Sequence, residues 1–378
     1  LTGEVTSSSY YRKVIEDIKN NKKRRLEGKL NCIPWRSFPK LCTKIPGIEQ
    51  EQYVIVTANS KVGKTQLADF LYVLEPYKFI KDNPDCGIKL KIFYFSLEIS
   101  RKKKLISLLT NKIYNETGKI IDAQNINSKF DNYILEDDIE QLIEKYIPYF
   151  DEFEKTVSII DNIRNPFGIY KYMRTYAETH GKYVKKEIEI IDEYGNVKNE
   201  LVNDYYVPND PDEYVIVLTD SANLLAPENG GNLHQAMSKF SSDYCLHMRD
   251  KWKYTVVNIQ QQAAEQEKQQ FNNFGGSITN KLRPSADGLG DNKLTGRDCN
   301  LMFGLFAPHR YEIKTYNGYD IERLKDNYRE LNVLFNRDGG GFFTDDLLFS
   351  GAVNHFEEAP REIRGDEEYS KLLKRIRS

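Results

Sequence analysis

The chain has 378 residues, 40% of them hydrophobic and 12% aromatic, which is ample for a packed core in one large domain or two ordinary ones. Its formal net charge of −2 excludes a globally basic nucleic-acid binder, so any basic surface has to be local. No apolar run approaches the roughly 18 residues that span a bilayer and no signal peptide is recognisable, so no membrane partner is expected.

Residues 8–29 read as one helix, opened by Ser7, Ser8 or Ser9 as N-cap. Tyr11, Val14, Ile15 and Ile18 make a narrow apolar stripe among Arg12, Lys13, Lys19, Lys22, Lys23, Arg24, Arg25 and Lys29. So charged a helix cannot bury itself and is expected to dock on something. A loop-rich passage with Pro34, Pro39 and Pro46 follows. Strands are then expected at 52–57, 90–96, 157–160, 213–219, 254–260, 300–306, 331–336 and 346–356, and helices at 64–74, 100–115, 134–147, 167–179 and 233–251. Runs such as Val215-Ile216-Val217-Leu218 read as buried on both faces, which points to a largely parallel α/β sheet. Residues 182–207 interrupt the alternation as a hairpin insertion around Glu193-Tyr194-Gly195-Asn196. The stretch from Glu357 to the end reads either as a solvated tail or as an amphipathic helix for a partner. The five cysteines are odd in number and lack a C-x-x-C pair, which suits reduced thiols in a cytoplasm.

Tyr53-Val54-Ile55-Val56-Thr57 is an apolar strand run, and Ala58-Asn59-Ser60-Lys61-Val62-Gly63-Lys64-Thr65 follows it directly into a helical pattern. Strand, loop and helix in that order are what a phosphate-binding loop requires. Successive backbone N–H groups and the helix N-terminus cradle phosphate oxygens, Lys64 reaches the β- and γ-phosphates, and the Thr65 hydroxyl serves Mg²⁺. Ala58 stands where the pattern G-x-x-x-x-G-K-[ST] has its first Gly.

Hydrolysis needs more than this loop. Val215-Ile216-Val217-Leu218-Thr219-Asp220 is a buried strand ending in an acid that could hold Mg²⁺ through water opposite Thr65. Lys91-Ile92-Phe93-Tyr94-Phe95-Ser96-Leu97-Glu98 closes on Glu98, a candidate to accept the proton of an attacking water. A third strand ends in Gln260-Gln261-Gln262, where one amide could sense the γ-phosphate. Residues 271–297 are long, Gly-rich and turn-rich, and Lys281, Arg283 and Lys293 are candidates for phosphate tracking along a single strand.

In order and spacing these pieces resemble the DnaB-like replicative helicases, which have a RecA-like motor domain. Phe95-Ser96-Leu97-Glu98-Ile99-Ser100 is very close to that family's second motif, whose Glu is the catalytic base. Asp220-Ser221-Ala222-Asn223-Leu224 is similar to its metal-binding strand, and Gln261 to its sensor. Asn336-Arg337-Asp338-Gly339-Gly340 looks like the motif whose Arg reaches the γ-phosphate of the neighbouring subunit, although Phe335 stands where the family often has Lys. The resemblance implies an α/β RecA-like P-loop NTPase core at 31–356, a linker helix at 1–30 that docks on the neighbouring subunit, and a tail at 357–378. It further implies ATP and Mg²⁺ as cofactors, and a homo-oligomer, most plausibly a hexameric ring, around single-stranded DNA. A primase or helicase loader is the implied partner, in the cytoplasm of a bacterium or phage-infected host. The helical N-terminal domain that such helicases commonly carry does not precede the linker here, and the chain opens on Leu1, as a trimmed product would. Two other readings stay open: a recombinase-like filament or loader that does not unwind, and a non-catalytic interaction or virion-associated protein.

Overall fold

The computed structural model describes residues 7–131, 133–191, 195, 197–228, 230–267, 281–339, 341–361, 363 and 365–377. In chain order the strands are β1 (Tyr53–Ala58), β2 (Lys89–Ser96), β3 (Val157–Ile160), β4 (Gly181–Ile191), β5 (Val197–Pro208), β6 (Glu213–Asp220), β7 (Thr255–Gln261), β8 (Leu301–Phe306), β9 (Thr315–Tyr316), β10 (Tyr319–Asp320), β11 (Tyr328–Asn336), β12 (Phe343–Ser350) and β13 (His355–Glu358). Among the described residues, nine of them form one sheet in the order β13-β12-β11-β8-β1-β7-β6-β2-β3. The run from β8 to β3 is parallel throughout, and β11, β12 and β13 extend it antiparallel.

The parallel strands are apolar because both faces of the sheet are covered. Alternation divides β1 between two cores: Val54, Val56 and Ala58 pack on one side, and Tyr53 and Ile55 on the other. The first side holds the helix that follows the phosphate loop and the passage after residue 31. There Trp35 is fully buried and its indole N–H donates to the Leu71 carbonyl at 2.8 Å. The second side holds the helix Pro166–His180 and the helical segment 233–252.

Several expected elements differ in extent, each for a local reason. The helix opening at Lys64 runs on to Asp82, with a wider π-type turn at Phe70–Leu74 just before Pro76. A proline ring would strike the carbonyl four residues back in a regular helix, and the wider turn relieves that clash. The helix expected at 134–147 ends at Lys145, and a second one, Ile147–Thr156, starts with Pro148 in its first turn, where a missing N–H is harmless. The strand expected at 346–356 is two strands, because a tight turn at Gly351–Val353 and a left-handed Asn354 reverse the chain.

The N-terminal helix Ser7–Leu26 is tied to the core at its C-terminal end. Arg24 bonds Asp212, and also the Leu30 and Gly87 carbonyls at 2.9 and 2.8 Å. Tyr11, Val14 and Ile18 remain exposed along it. The strands β4 and β5 pair only with each other, as a hairpin rooted by Tyr183, which accepts the Trp252 indole N–H at 2.5 Å, and by Tyr206, whose hydroxyl donates to the Ala177 carbonyl at 3.0 Å. The C-terminal stretch is a helix, Gly365–Arg377, and its described part is not a solvated tail. Tyr369, Leu372 and Ile376 fall on one face and bury against Tyr319, Leu324, Tyr328 and Leu348 of its own domain.

His355 at the start of β13 packs against the rings of Phe70 and Tyr114, and its Nδ1 has no hydrogen-bond partner among the described residues. Burial, aided by Lys78 and Arg375, lowers its pKa to about 4. The unfolded chain therefore takes up this proton first as pH falls. The stability that neutral His355 supplies is present above its ordinary value of 6.5 and is lost as pH falls towards 4. We expect urea unfolding to show a loss of up to about 3 kcal/mol from this group between pH 7 and 4, and His355→Phe to flatten the profile in that window.

Candidate nucleotide site

The strand β1 ends at Ala58, in register with Gln261 of β7 and Leu305 of β8, so the phosphate loop leaves from the centre of the sheet at its carboxyl edge. Ala58 is still extended strand, which is why a residue with a side chain suffices where the motif has Gly. Gly63 is different: its φ of +104° is left-handed, and an added Cβ would come within 3.3 Å of the Phe349 ring. From Gly63 the chain turns into the helix, whose first amides, at Lys64, Thr65 and Gln66, have no carbonyl one turn back. The loop carbonyls are held from outside. Arg329, fully buried and stacked over Phe349 at 4.5 Å, donates Nε to the Val62 carbonyl at 2.7 Å, and Arg310 donates to that of Ser60. Asn59 reaches the Leu282 carbonyl at 3.3 Å. The cradle thus keeps its N–H groups for phosphate oxygens. Neither arginine is marked by any motif in the sequence.

Thr65 Oγ1 donates to Asp220 Oδ1 at 3.0 Å, which joins the loop to the end of β6. Ser96 of β2 pairs with Asp220, and the Asp220 carbonyl accepts the amides of Leu97 and Glu98 at 2.6 and 3.2 Å. Glu98 is exposed at that edge and Asp220 is fully buried. Among the described residues no group of three or more His, Cys, Asp or Glu side chains could hold a metal. Thr65 and Asp220 fit a cation that takes most of its ligands from phosphate and water, which is the habit of Mg²⁺.

Behind Asp220 lies a buried cluster that the motifs did not reveal. Tyr94 donates to Asp220 Oδ2 at 2.9 Å, and Lys104 Nζ donates to Tyr94 at 2.6 Å and to the two oxygens of Asp69 at 2.9 and 3.2 Å. Lys104, Asp69 and Tyr94 are each about 1% exposed. Burial raises the Asp69 pKa and Lys104 opposes the rise, while burial pushes the Tyr94 hydroxyl well above its usual range. The one sign of this in the sequence is a charge at Asp69 inside the apolar run Leu67-Ala68-Asp69-Phe70-Leu71.

The three glutamines after β7 divide their work. Gln260 donates to the Gly290 and Asn292 carbonyls at 2.8 Å and accepts from Thr295, and Gln262 bonds Thr57 at 3.0 Å and both backbone groups of Ser285. Both clamp the segment 285–295. Gln261, beside Ala58, carries no such side-chain bond among the described residues, which favours it over Gln260 for contact with a bound phosphate. Residues 268–280, and with them most of the expected strand-tracking loop, lie outside the described residues. Lys281 and Lys293 are exposed. Arg283 instead grips the buried Glu330, with Nε at 2.9 Å and a terminal nitrogen at 3.0 Å, so a nucleic-acid phosphate would have to compete with that carboxylate.

Arg337 lies at the opposite end of the sheet. Asn336 pairs with Leu301, which pairs with Val54, four residues or roughly 13 Å from Ala58. Its guanidinium sits 5.3 Å over the Phe335 ring and donates to the Arg297 carbonyl, exposed and out of reach of its own phosphate loop.

Removing one member of the buried pair is expected to cost far more than removing both. Lys104→Met strands Asp69 and should lower unfolding stability by about 3–5 kcal/mol in urea titrations, whereas Asp69→Leu with Lys104→Met should recover most of that loss.

No family model matches the sequence, and no curated protein matches it. In structure the chain is similar to a helicase ATPase domain solved by itself, with a TM-score of 0.63 and 18% identity over 94% of this chain and 100% of that one. It is equally similar to a DnaB-like replicative helicase described with its interactions with primase, at a TM-score of 0.63 and 18% identity over 94% of this chain and 69% of that one. The fold is therefore that of the ATPase domains of DnaB-like helicases, an α/β RecA-like core.

Proposed function

We propose that this chain is an ATP-hydrolysing motor that assembles into a ring, most plausibly a hexamer, moves along single-stranded DNA and separates a duplex. The observation that carries the reading is the meeting of Lys64, Thr65, Asp220 and Glu98 at one edge of the sheet while Arg337 faces away at the other. A nucleotide cradled by residues 58–65 would lack an arginine from its own chain's Arg337 and would take one from the next subunit. Mg²⁺ held by Thr65 and, through water, by Asp220 would neutralise charge on the phosphate oxygens. Lys64 holds the β- and γ-phosphates, Glu98 takes the proton of the attacking water, and Gln261 contacts the γ-phosphate. Because Gln260 and Gln262 clamp the root of the loop that follows, a shift of Gln261 is passed to Lys281 and Lys293, which track the strand by its phosphates. The exposed stripe of the helix Ser7–Leu26 docks on the adjacent subunit, and a primase or loader binds the assembly from outside.

Unwinding of a forked duplex with ATP and Mg²⁺ tests the reading. Glu98→Gln should slow ATP turnover about 10²–10⁴-fold and Lys64→Ala should abolish nucleotide binding, both with loss of strand separation. DNA-stimulated turnover without unwinding would favour a filament or loader, and ATP binding without turnover would favour a non-catalytic role. Arg337→Ala and Lys64→Ala chains, each inactive alone, should regain part of the turnover when mixed, because mixed interfaces restore complete sites. No recovery on mixing would place the arginine and the nucleotide in separate machinery.

A further inference from the structure

We propose that Lys104, Tyr94 and Asp69 are positioning residues that aim Asp220 at the bound metal, an inference that rests on the nucleotide-site reading above. Lys104 is the fourth residue of the helix Arg101–Thr117, and Arg101, Lys102 and Lys103 before it are all exposed. Lys104 alone turns inward, where it is 1% exposed, and ends beside three oxygen-bearing groups.

The direction of each hydrogen bond gives the arrangement its consequence. An ammonium can only donate, so Lys104 occupies a lone pair of the Tyr94 oxygen at 2.6 Å. The Tyr94 proton is then directed to Asp220 Oδ2 at 2.9 Å. With Oδ2 engaged, Oδ1 is the oxygen turned to the phosphate loop, where it accepts from Thr65 at 3.0 Å. Asp69 holds the ammonium at 2.9 Å, closer than the 3.6 Å that separates it from Asp220. The lysine thus orients the Asp220 carboxylate through tyrosine without pairing closely with it, and the carboxylate keeps its charge for a divalent cation. A buried ion pair adds little net stability over a well-packed apolar substitute, so stability alone gives no reason for this set of bonds.

The test uses the full chain and two variants that leave no charge stranded: Tyr94→Phe, and Asp69→Leu combined with Lys104→Met. Fluorescent mant-ADP is titrated in EDTA and then with Mg²⁺, and Mn²⁺ binding to the nucleotide complex is followed by electron paramagnetic resonance. Affinity in EDTA should match the wild type, while the Mg²⁺ or Mn²⁺ needed for half-saturation should rise roughly tenfold, the scale of losing a charge-assisted hydrogen bond. A wild-type metal requirement in both folded variants overturns the proposal. Equal weakening with and without metal overturns it too, since that marks the cluster as a support for the whole loop. If the wild type itself binds no nucleotide, the nucleotide-site reading fails first and the inference falls with it.

Discussion

The site depends on one buried carboxylate. Asp220 has no exposed surface, so both of its oxygens need partners from the protein, and those partners come from three separate elements. Thr65 approaches from the helix after β1 and Tyr94 from β2, while Lys104 stands behind on the next helix. Satisfying this single group fixes the phosphate loop against the sheet and sets the spacing between β1, β6 and β2. The Asp220 carbonyl adds a second tie, because it takes the amides of Leu97 and Glu98 and so hangs the exposed Glu98 beside the buried acid.

A parallel sheet makes this convergence natural. Its strands all end at one edge, so residues far apart in sequence arrive together there without any long loop. Ala58, Ser96, Asp220 and Gln261 are terminal or penultimate in their strands, and the register of β1 with β7 and of β2 with β6 brings them into a row. The antiparallel addition of β11 to β13 does something else. It returns Arg329 beneath the phosphate loop near the start of β11 and carries Arg337 to the far edge at its other end. One strand therefore bears an arginine that braces the loop of its own chain and leads into another that points away from it.

The elements outside the core divide by whether their apolar residues are covered. The C-terminal helix covers its own stripe against β11, β12 and the short β9–β10 ribbon nearby, so it belongs to the domain's packing. The N-terminal helix is fastened by Arg24 at one end and leaves Tyr11, Val14 and Ile18 in solvent. The hairpin β4–β5 is rooted by two tyrosines, and beyond them exposes Val197 and Leu201. A lone two-stranded ribbon has little stability of its own, so its root carries the burden of holding it in place.

The sequence by itself determined the strand–loop–helix at 53–82, the acids that close β2 and β6, the parallel core and the hairpin, because each is written in neighbouring residues. Apolar runs report burial on both faces, and glycine with lysine and threonine reports a phosphate loop at short range. Extents were less legible wherever a proline or a left-handed residue intervened, as at Pro76, Pro148 and Asn354. The tertiary structure alone decided which side chains meet. Lys104 reads as one more cation in a charged run, and Arg329 and Arg283 read as ordinary surface arginines. Only the fold reveals that the first lies under Asp220, the second under Val62 and the third on Glu330. The reason is physical: periodicity tells a residue which face it occupies, whereas a hydrogen bond or ion pair between groups dozens to hundreds of residues apart exists only once the strands are in register.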